Sequence, residues 1–145
     1  MQSSAEDLKN AGFTGSQKFL FAHSLGTVFG QAWFEQNPGF FDGQVLMGGG
    51  ILRAHRENNN STGSTHINMI PTLTLAAEKD GQYRIFRNAE AYWHQVYNIN
   101  PEQKGDYPVV VIKGASHGSF MLESMLPSTV QKADLKPEIS EDQAQ

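Results

Sequence analysis

The chain of 145 residues contains no cysteine, which excludes disulfide bonds, thiolate zinc sites and a cysteine nucleophile. Its 11 lysines and arginines stand against 15 aspartates and glutamates, giving a net charge of -4. Because the sequence offers no basic field for a phosphate backbone, nucleic acid is not an expected partner. The five histidines show no metal-ligand spacing, so no metal site is predicted.

Long apolar runs are also lacking. No apolar run approaches the roughly 20 residues of a membrane-spanning helix. The first residues contain no basic segment followed by an apolar core. The sequence therefore predicts neither a membrane span nor a signal peptide within this chain, and it leaves the cellular location open.

The chain has the composition of an ordinary globular domain, with 39% hydrophobic and 18% charged residues. Short apolar or β-branched runs alternate with segments of helical spacing, which predicts an α/β fold with a mostly parallel sheet and crossover helices. About four strands are expected, at residues 18–22, 44–48, 72–77 and 108–113. The polar segment 131–145 is predicted to be a loosely ordered tail that follows a domain of residues 1–130.

Three of the predicted strands end close to a side chain that can carry chemistry. Ser24 follows the first strand, Asp80 the third and His117 the fourth. In an open parallel sheet, ligands sit beyond the carboxyl ends of the strands, so we expect these side chains to meet there. A serine hydroxyl needs an imidazole to accept its proton, and an acid must hold that imidazole in the right tautomer. The sequence thus predicts Ser24 as nucleophile, His117 as general base and Asp80 as the orienting acid.

The residues around Ser24 favour a sharp strand-to-helix turn. Such a turn leaves little room two positions away on either side, and Ala22 and Gly26 are both small. A match of this kind alone is weak, because roughly one chain in ten of this length contains one by chance. It becomes strong when a strand precedes it, a helix follows it, and an acid and a histidine follow later strands.

On the segments FLFAHSLGTVFG, PTLTLAAEKDGQYRIFRNAEAYWHQ and VVVIKGASHGSF, the sequence resembles the α/β-hydrolase superfamily. The resemblance covers roughly residues 4–122 and matches the second half of that fold. Complete members have further strands before the nucleophile, and a loop after one of them gives a second oxyanion N–H. The resemblance implies a partial α/β-hydrolase fold, esterase-type chemistry and no cofactor. Most members have glycine where this chain has Ala22. The backbone N–H of Leu25 is the expected oxyanion donor.

Each candidate residue also has a plain structural interpretation. Ser24 could cap the helix that follows, Asp80 could serve only an Asp-Gly turn, and His117 could be a surface histidine in a glycine-rich loop. Glu78 is the substitute acid if the third strand ends earlier. His23 is expected either to face the substrate pocket or to be a structural histidine.

Two functions from different classes follow from these observations. The first is a serine hydrolase acting on a carboxylic ester or similar acyl bond, with a thioester, a peptide or a lipid acyl chain as alternative substrates. The Asn-rich stretch 58–65 is too polar for an apolar lid, which favours smaller or more soluble esters. The second is a truncated, catalytically silent hydrolase-like fragment that survives as a binding module. In that case the strand at 18–22 is an exposed edge through which self-association is expected.

Overall fold

The computed structural model describes residues 6–7, 9–12, 14–52, 70–94, 101–121 and 125–144. The stretch 58–65 lies outside the described residues. The strands are β1 (Phe19–His23), β2 (Gly43–Met47), β3 (Thr72–Ala77) and β4 (Val109–Ile112). The α-helices are α1 (Leu25–Gln36), α2 (Ile85–Trp93), α3 (Ser128–Ala133) and α4 (Glu141–Ala144). Within these described ranges, short 3-10 helices cover Pro101–Asp106 and His117–Phe120.

The four strands form one sheet in the order β1-β2-β3-β4, and every neighbouring pair is parallel. Helix α1 lies between β1 and β2 in the chain, and α2 lies between β3 and β4. The predicted α/β fold is confirmed, and each strand lies within one residue of its expected bounds. Because all four strands run in the same direction, their carboxyl ends meet at one edge of the sheet.

The core lies on one face of this sheet. Leu20 and Ala22 of β1 and Leu46 of β2 are buried, and Trp33 of α1 and Tyr92 of α2 pack against this cluster. Both helices therefore cover the same face. Burying apolar surface contributes about 25 cal/mol per Å² removed from water, so this face supplies the main packing energy of the sheet.

Helix α1 can approach β1 closely because it carries a glycine at the contact. A Cβ on Gly30 would lie 2.7 Å from a methyl carbon of Leu20. A side chain at position 30 would therefore force either the buried Leu20 side chain or the helix to move. Glycine at this position lets the helix lie close to the strand.

The opposite face of the sheet carries apolar side chains that reach solvent. Phe19 and Phe21 of β1 are 52% and 67% exposed, and Val110 of β4 is 47% exposed. The strand register places Phe21 and Val110 on the same face, on the two edge strands. This open apolar face and the free edge of β1 are surfaces on which another polypeptide segment can pack.

Candidate active site

Ser24 occupies the turn between β1 and α1 in a strained backbone conformation. Its φ is 52° and its ψ is -124°, and it is the one non-glycine residue with positive φ in the described part of the chain. The Ser24 N–H donates to the carbonyl oxygen of Met47 at 2.9 Å, which ties the turn to the end of β2. Strain of this kind costs about 1–3 kcal/mol and is characteristic of functional sites.

The hydroxyl of Ser24 does not cap the helix that follows. Helix α1 has no side-chain cap hydrogen bond from Ser24. The Thr27 hydroxyl instead donates to the Ser24 carbonyl oxygen at 2.7 Å. The Ser24 side chain is thereby left to interact outside its own helix.

The structure brings Ser24, His117 and Asp80 into one chain of hydrogen bonds. Ser24 Oγ lies 2.7 Å from His117 Nε2, and His117 Nδ1 lies 2.9 Å from Asp80 Oδ2. An ionised carboxylate only accepts, so His117 Nδ1 carries the proton and donates it to Asp80. In the neutral ring, Nε2 is then the acceptor and the Ser24 hydroxyl is the donor. Such a chain can move a proton from a hydroxyl to an imidazole.

Asp80 both holds its own turn and accepts a hydrogen bond from His117. Its Oδ1 accepts the backbone N–H of Gln82 at 2.8 Å and that of Tyr83 at 2.6 Å, while Oδ2 faces His117. The residue is only 3% exposed. The alternative acid, Glu78, accepts the N–H of Gly114 at 2.8 Å, and no described hydrogen bond joins it to His117.

The imidazole of His117 packs directly on the backbone after β2. Gly48 has a φ of 55°, and a Cβ there would lie 3.0 Å from His117 Nδ1. Position 48 therefore needs glycine twice over, for its left-handed conformation and for the space that the ring occupies. The sequence alone could not show this requirement, because it comes from a side chain 69 positions away.

His23 packs against His117. Its Nε2 donates to the His117 carbonyl oxygen at 2.9 Å, and its ring centroid lies 4.9 Å from that of His117. It is not among the residues that line the cavity beside Ser24. Its contacts are those of a side chain that holds the backbone of His117 in place.

A cavity of about 350 Å³ opens beside Ser24. Its apolar wall is formed by Leu25, Val28, Ile51 and Leu52, and its polar side chains include Gln82, Tyr83 and Arg87. As the first residue of α1, Leu25 has no intrahelical acceptor for its N–H, which lies at the positive end of the helix. The arrangement can hold a small apolar group next to a hydroxyl and a backbone donor.

One wall of this cavity is fixed by a buried glutamine that sequence reasoning missed. Gln31 of α1 is 1% exposed. Its Nε2 donates to the Gly50 carbonyl oxygen at 3.0 Å, and its Oε1 accepts the Leu52 N–H at 3.0 Å. The side chain therefore holds the loop after β2 against α1, as a backbone segment would.

The backbone strain at Ser24 gives a stability prediction. Ser24→Ala and Ser24→Gly both remove the hydroxyl, but only glycine adopts positive φ without a Cβ penalty. After allowance for the greater unfolded-state entropy of glycine, we expect Ser24→Gly to be about 1 kcal/mol more stable than Ser24→Ala. Urea unfolding of the two variants measures this difference. Equal stabilities, or a more stable alanine variant, would contradict the strained turn.

The environment of His23 gives a pH prediction. Burial lowers the pKa of the His23 imidazole from its ordinary value of 6.5, although the hydrogen bond to the His117 carbonyl opposes the shift. Below the unfolded-state pKa, the unfolded chain binds a proton at His23 more readily than the folded chain does. The free energy of unfolding therefore falls as pH drops below that value. We expect His23→Gln, which keeps a donor, to lose less unfolding free energy than wild type between about pH 7 and about pH 5. An equal loss of unfolding free energy in wild type and His23→Gln between these two pH values would refute this prediction.

The part of the chain that the structure describes holds no group of three or more His, Asp or Glu side chains placed to bind a metal ion. It likewise holds no helix with the length and apolar character needed to cross a bilayer. No protein-family model matches the chain, and no curated protein matches its sequence significantly. The fold and the geometry around Ser24 are therefore the features that bear on function.

Proposed function

We propose that this protein is a serine hydrolase of the α/β-hydrolase type. Within that class, we propose an esterase that cleaves a carboxylic ester or similar acyl bond. The observation that carries the proposal is the hydrogen-bonded chain from Ser24 Oγ through His117 to Asp80, with Ser24 held at positive φ between a strand and a helix. A strained serine at a strand-to-helix turn is the nucleophile elbow of α/β-hydrolases. An acid and then a histidine later in the sequence give the order of their catalytic triad.

In the proposed reaction, Ser24 Oγ attacks the carbonyl carbon while His117 Nε2 accepts its proton. The new C–O bond forms a tetrahedral intermediate whose oxyanion accepts the Leu25 N–H. His117 then gives the proton to the departing alcohol as the scissile bond breaks, leaving an acyl group on Ser24. Water then attacks the acyl carbon while His117 Nε2 accepts its proton. The bond between Ser24 Oγ and the acyl carbon breaks as His117 returns that proton to Oγ, which releases the carboxylic acid and restores the serine. Asp80 holds His117 in the required tautomer and stabilises the imidazolium, without itself taking the proton.

The size and lining of the cavity favour a substrate whose acyl or alcohol group is compact. Its volume of about 350 Å³ is at the small end of the range for ligand pockets. Leu25 and Val28 present apolar surface on the side nearest α1, while Arg87 and Gln82 lie among the polar lining residues. These features favour a short ester over a long lipid acyl chain.

Hydrolysis of p-nitrophenyl esters of increasing acyl length tests the proposal. Wild-type protein is expected to turn over the acetate and butyrate esters, with lower kcat/KM for esters whose acyl chain exceeds the cavity. The matched control is Ser16→Ala, which alters an exposed serine away from the site. Activity should persist in Ser16→Ala and vanish in Ser24→Ala. Equal turnover by both variants would refute Ser24 as the nucleophile.

The second candidate is a catalytically silent hydrolase-like domain that acts as a binding module. It is favoured by the position of β1 at the edge of the sheet and by the exposure of Phe19 and Phe21 beside that edge. Among the described residues, Leu25 is the one that we propose as an oxyanion donor. Loss of one such donor typically lowers kcat by about 10²–10³-fold, so a site with a single donor is expected to be a weak catalyst. This candidate implies self-association through β1.

Size-exclusion chromatography with hydrogen exchange separates the two candidates. Self-association through β1 predicts a larger species in wild type and a monomer in Phe21→Glu, because a charge at the edge opposes pairing. It also predicts that the β1 amides on the free edge, which do not pair with β2, exchange slowly only in the larger species. A monomer with protected β1 amides and measurable ester turnover would reject the silent module.

A further inference from the structure

We infer that Asp134 is a positioning residue that joins the loop carrying Asp80 to the loop carrying His117. Its Oδ1 accepts the N–H of Gly81, the residue after Asp80, at 2.9 Å. Its Oδ2 accepts the N–H of Gly118, the residue after His117, at 2.9 Å. One carboxylate thus links the backbones that follow the two partners of the hydrogen-bonded chain. The inference rests on the proposed function, because positioning matters only if these two side chains cooperate.

The turn at Gly81 is built against the same segment. A Cβ on Gly81 would lie 2.6 Å from the Ala133 carbonyl oxygen and 2.9 Å from the Asp134 Cα. Both neighbours are backbone atoms, which cannot turn aside as a side chain can. Glycine at position 81 therefore serves the close approach of the segment that carries Asp134, independently of the hydrogen bonds.

The ionisation of Asp134 agrees with this geometry. Burial alone would raise the pKa of its carboxyl group, but the backbone N–H groups of Gly81 and Gly118 outweigh that effect, with smaller contributions from the Ser116 hydroxyl and the His117 N–H. The net result is a pKa below the ordinary value of 3.8. The carboxylate is therefore charged near neutral pH, and three of these four donors belong to the loop that carries His117.

The loop of His117 needs such support because it is not packed solidly on its outer side. A cavity of about 380 Å³ lies there, lined by Ser116, Gly118, Ser119, Leu126, Leu135 and Asp134 among others. Hydrogen bonds to an ionised carboxylate are roughly twice as strong as those between neutral groups, so Asp134 can hold this backbone in place. Loss of Asp134 is therefore expected to let His117 drift relative to Ser24 and Asp80.

The test compares Asp134→Ala with Glu138→Ala. Glu138 is the matched control because it lies in the same segment and its carboxylate pairs with Lys79, not with either loop glycine. A misplacement near 1 Å can cost about 10²-fold in rate. We expect Asp134→Ala to lower kcat for ester hydrolysis by about 10–100-fold with KM nearly unchanged. Glu138→Ala should leave both constants close to wild type, and Asp134→Asn, which keeps one accepting oxygen, should be intermediate.

A second readout separates this inference from the proposed function. The His117 Nδ1 proton, hydrogen-bonded to Asp80, is expected as a downfield ¹H NMR resonance in wild type and in Glu138→Ala. In Asp134→Ala or Asp134→Asn it should broaden or move upfield while the rest of the spectrum remains folded. If wild-type protein shows this resonance but does not hydrolyse esters, the proposed function is rejected. The positioning role of Asp134 can then still be measured from the resonance of the variants. An unchanged resonance with unchanged kcat in both Asp134 variants would overturn the inference.

Discussion

Replacing His117 with alanine is expected to lower kcat for ester hydrolysis by on the order of 10⁴-fold. The imidazole is the only described group hydrogen-bonded to the Ser24 hydroxyl, at 2.7 Å, so without it the hydroxyl has no base to take its proton. A serine hydroxyl at its ordinary pKa is a weak nucleophile, and the departing alcohol also loses its proton donor. Because His117 contributes little to the apolar wall of the cavity, KM should change by no more than a few fold.

The matched control for this variant is His94→Ala. His94 follows α2 and is not among the residues that line the cavity beside Ser24. Initial rates over a range of ester concentrations give kcat and KM separately for each variant. Wild-type kcat in His117→Ala, or an equal loss in both variants, would contradict the role of His117 as general base.

The second large effect is expected at Asp80, where two substitutions separate its two roles. Asp80→Asn can keep an oxygen for the N–H groups of Gln82 and Tyr83, but it then presents an NH₂ group to His117 Nδ1. The proton of the imidazole must then move to Nε2, which can no longer accept the proton of Ser24. We expect kcat to fall by on the order of 10³–10⁴-fold, with the free energy of unfolding within about 1 kcal/mol of wild type.

Asp80→Ala is expected to lose similar activity and substantially more stability. It leaves the backbone donors of the turn and the buried His117 Nδ1–H without an acceptor, at a cost of about 1–3 kcal/mol for each group that stays unsatisfied. Urea unfolding and initial rates on the same samples measure both effects. Glu78→Gln, which keeps an acceptor for the Gly114 N–H, is the control and should retain activity. If Glu78→Gln were inactive and Asp80→Asn active, the residue that orients His117 would be Glu78 and not Asp80.

The sheet and its chemistry-bearing residues could be predicted because their signals are local or follow from topology. The run Val109–Ile112 is β-branched and short, which is typical of a buried or edge strand and not of a helix. Once the strands are taken as parallel, Ser24, Asp80 and His117 must lie at one edge, whatever the details of the loops. Their common position at this edge could therefore be anticipated without knowledge of side-chain packing, whereas the hydrogen bonds among them come from the structure.

The residues that support the site could not be predicted in the same way. Gly48 is needed because a histidine ring from the end of the sheet rests on it, and Gln31 because its amide meets a loop 19 positions away. Asp134 lies in the segment predicted to be a loosely ordered tail, yet its carboxylate contacts loops 53 and 16 positions earlier in the chain. Such requirements arise only when distant segments meet, so no local pattern in the sequence carries them.

The most direct test of the proposed hydrolase is labelling with a fluorophosphonate probe followed by mass spectrometry of the digested protein. Ser24 Oγ displaces fluoride from the phosphorus of the probe while His117 Nε2 accepts the hydroxyl proton, so labelling reports an activated serine without requiring the natural substrate. We expect one modified peptide containing Ser24, no modification in Ser24→Ala, and much slower modification in His117→Ala. An unlabelled wild-type protein, or labelling that survives in Ser24→Ala, would contradict it.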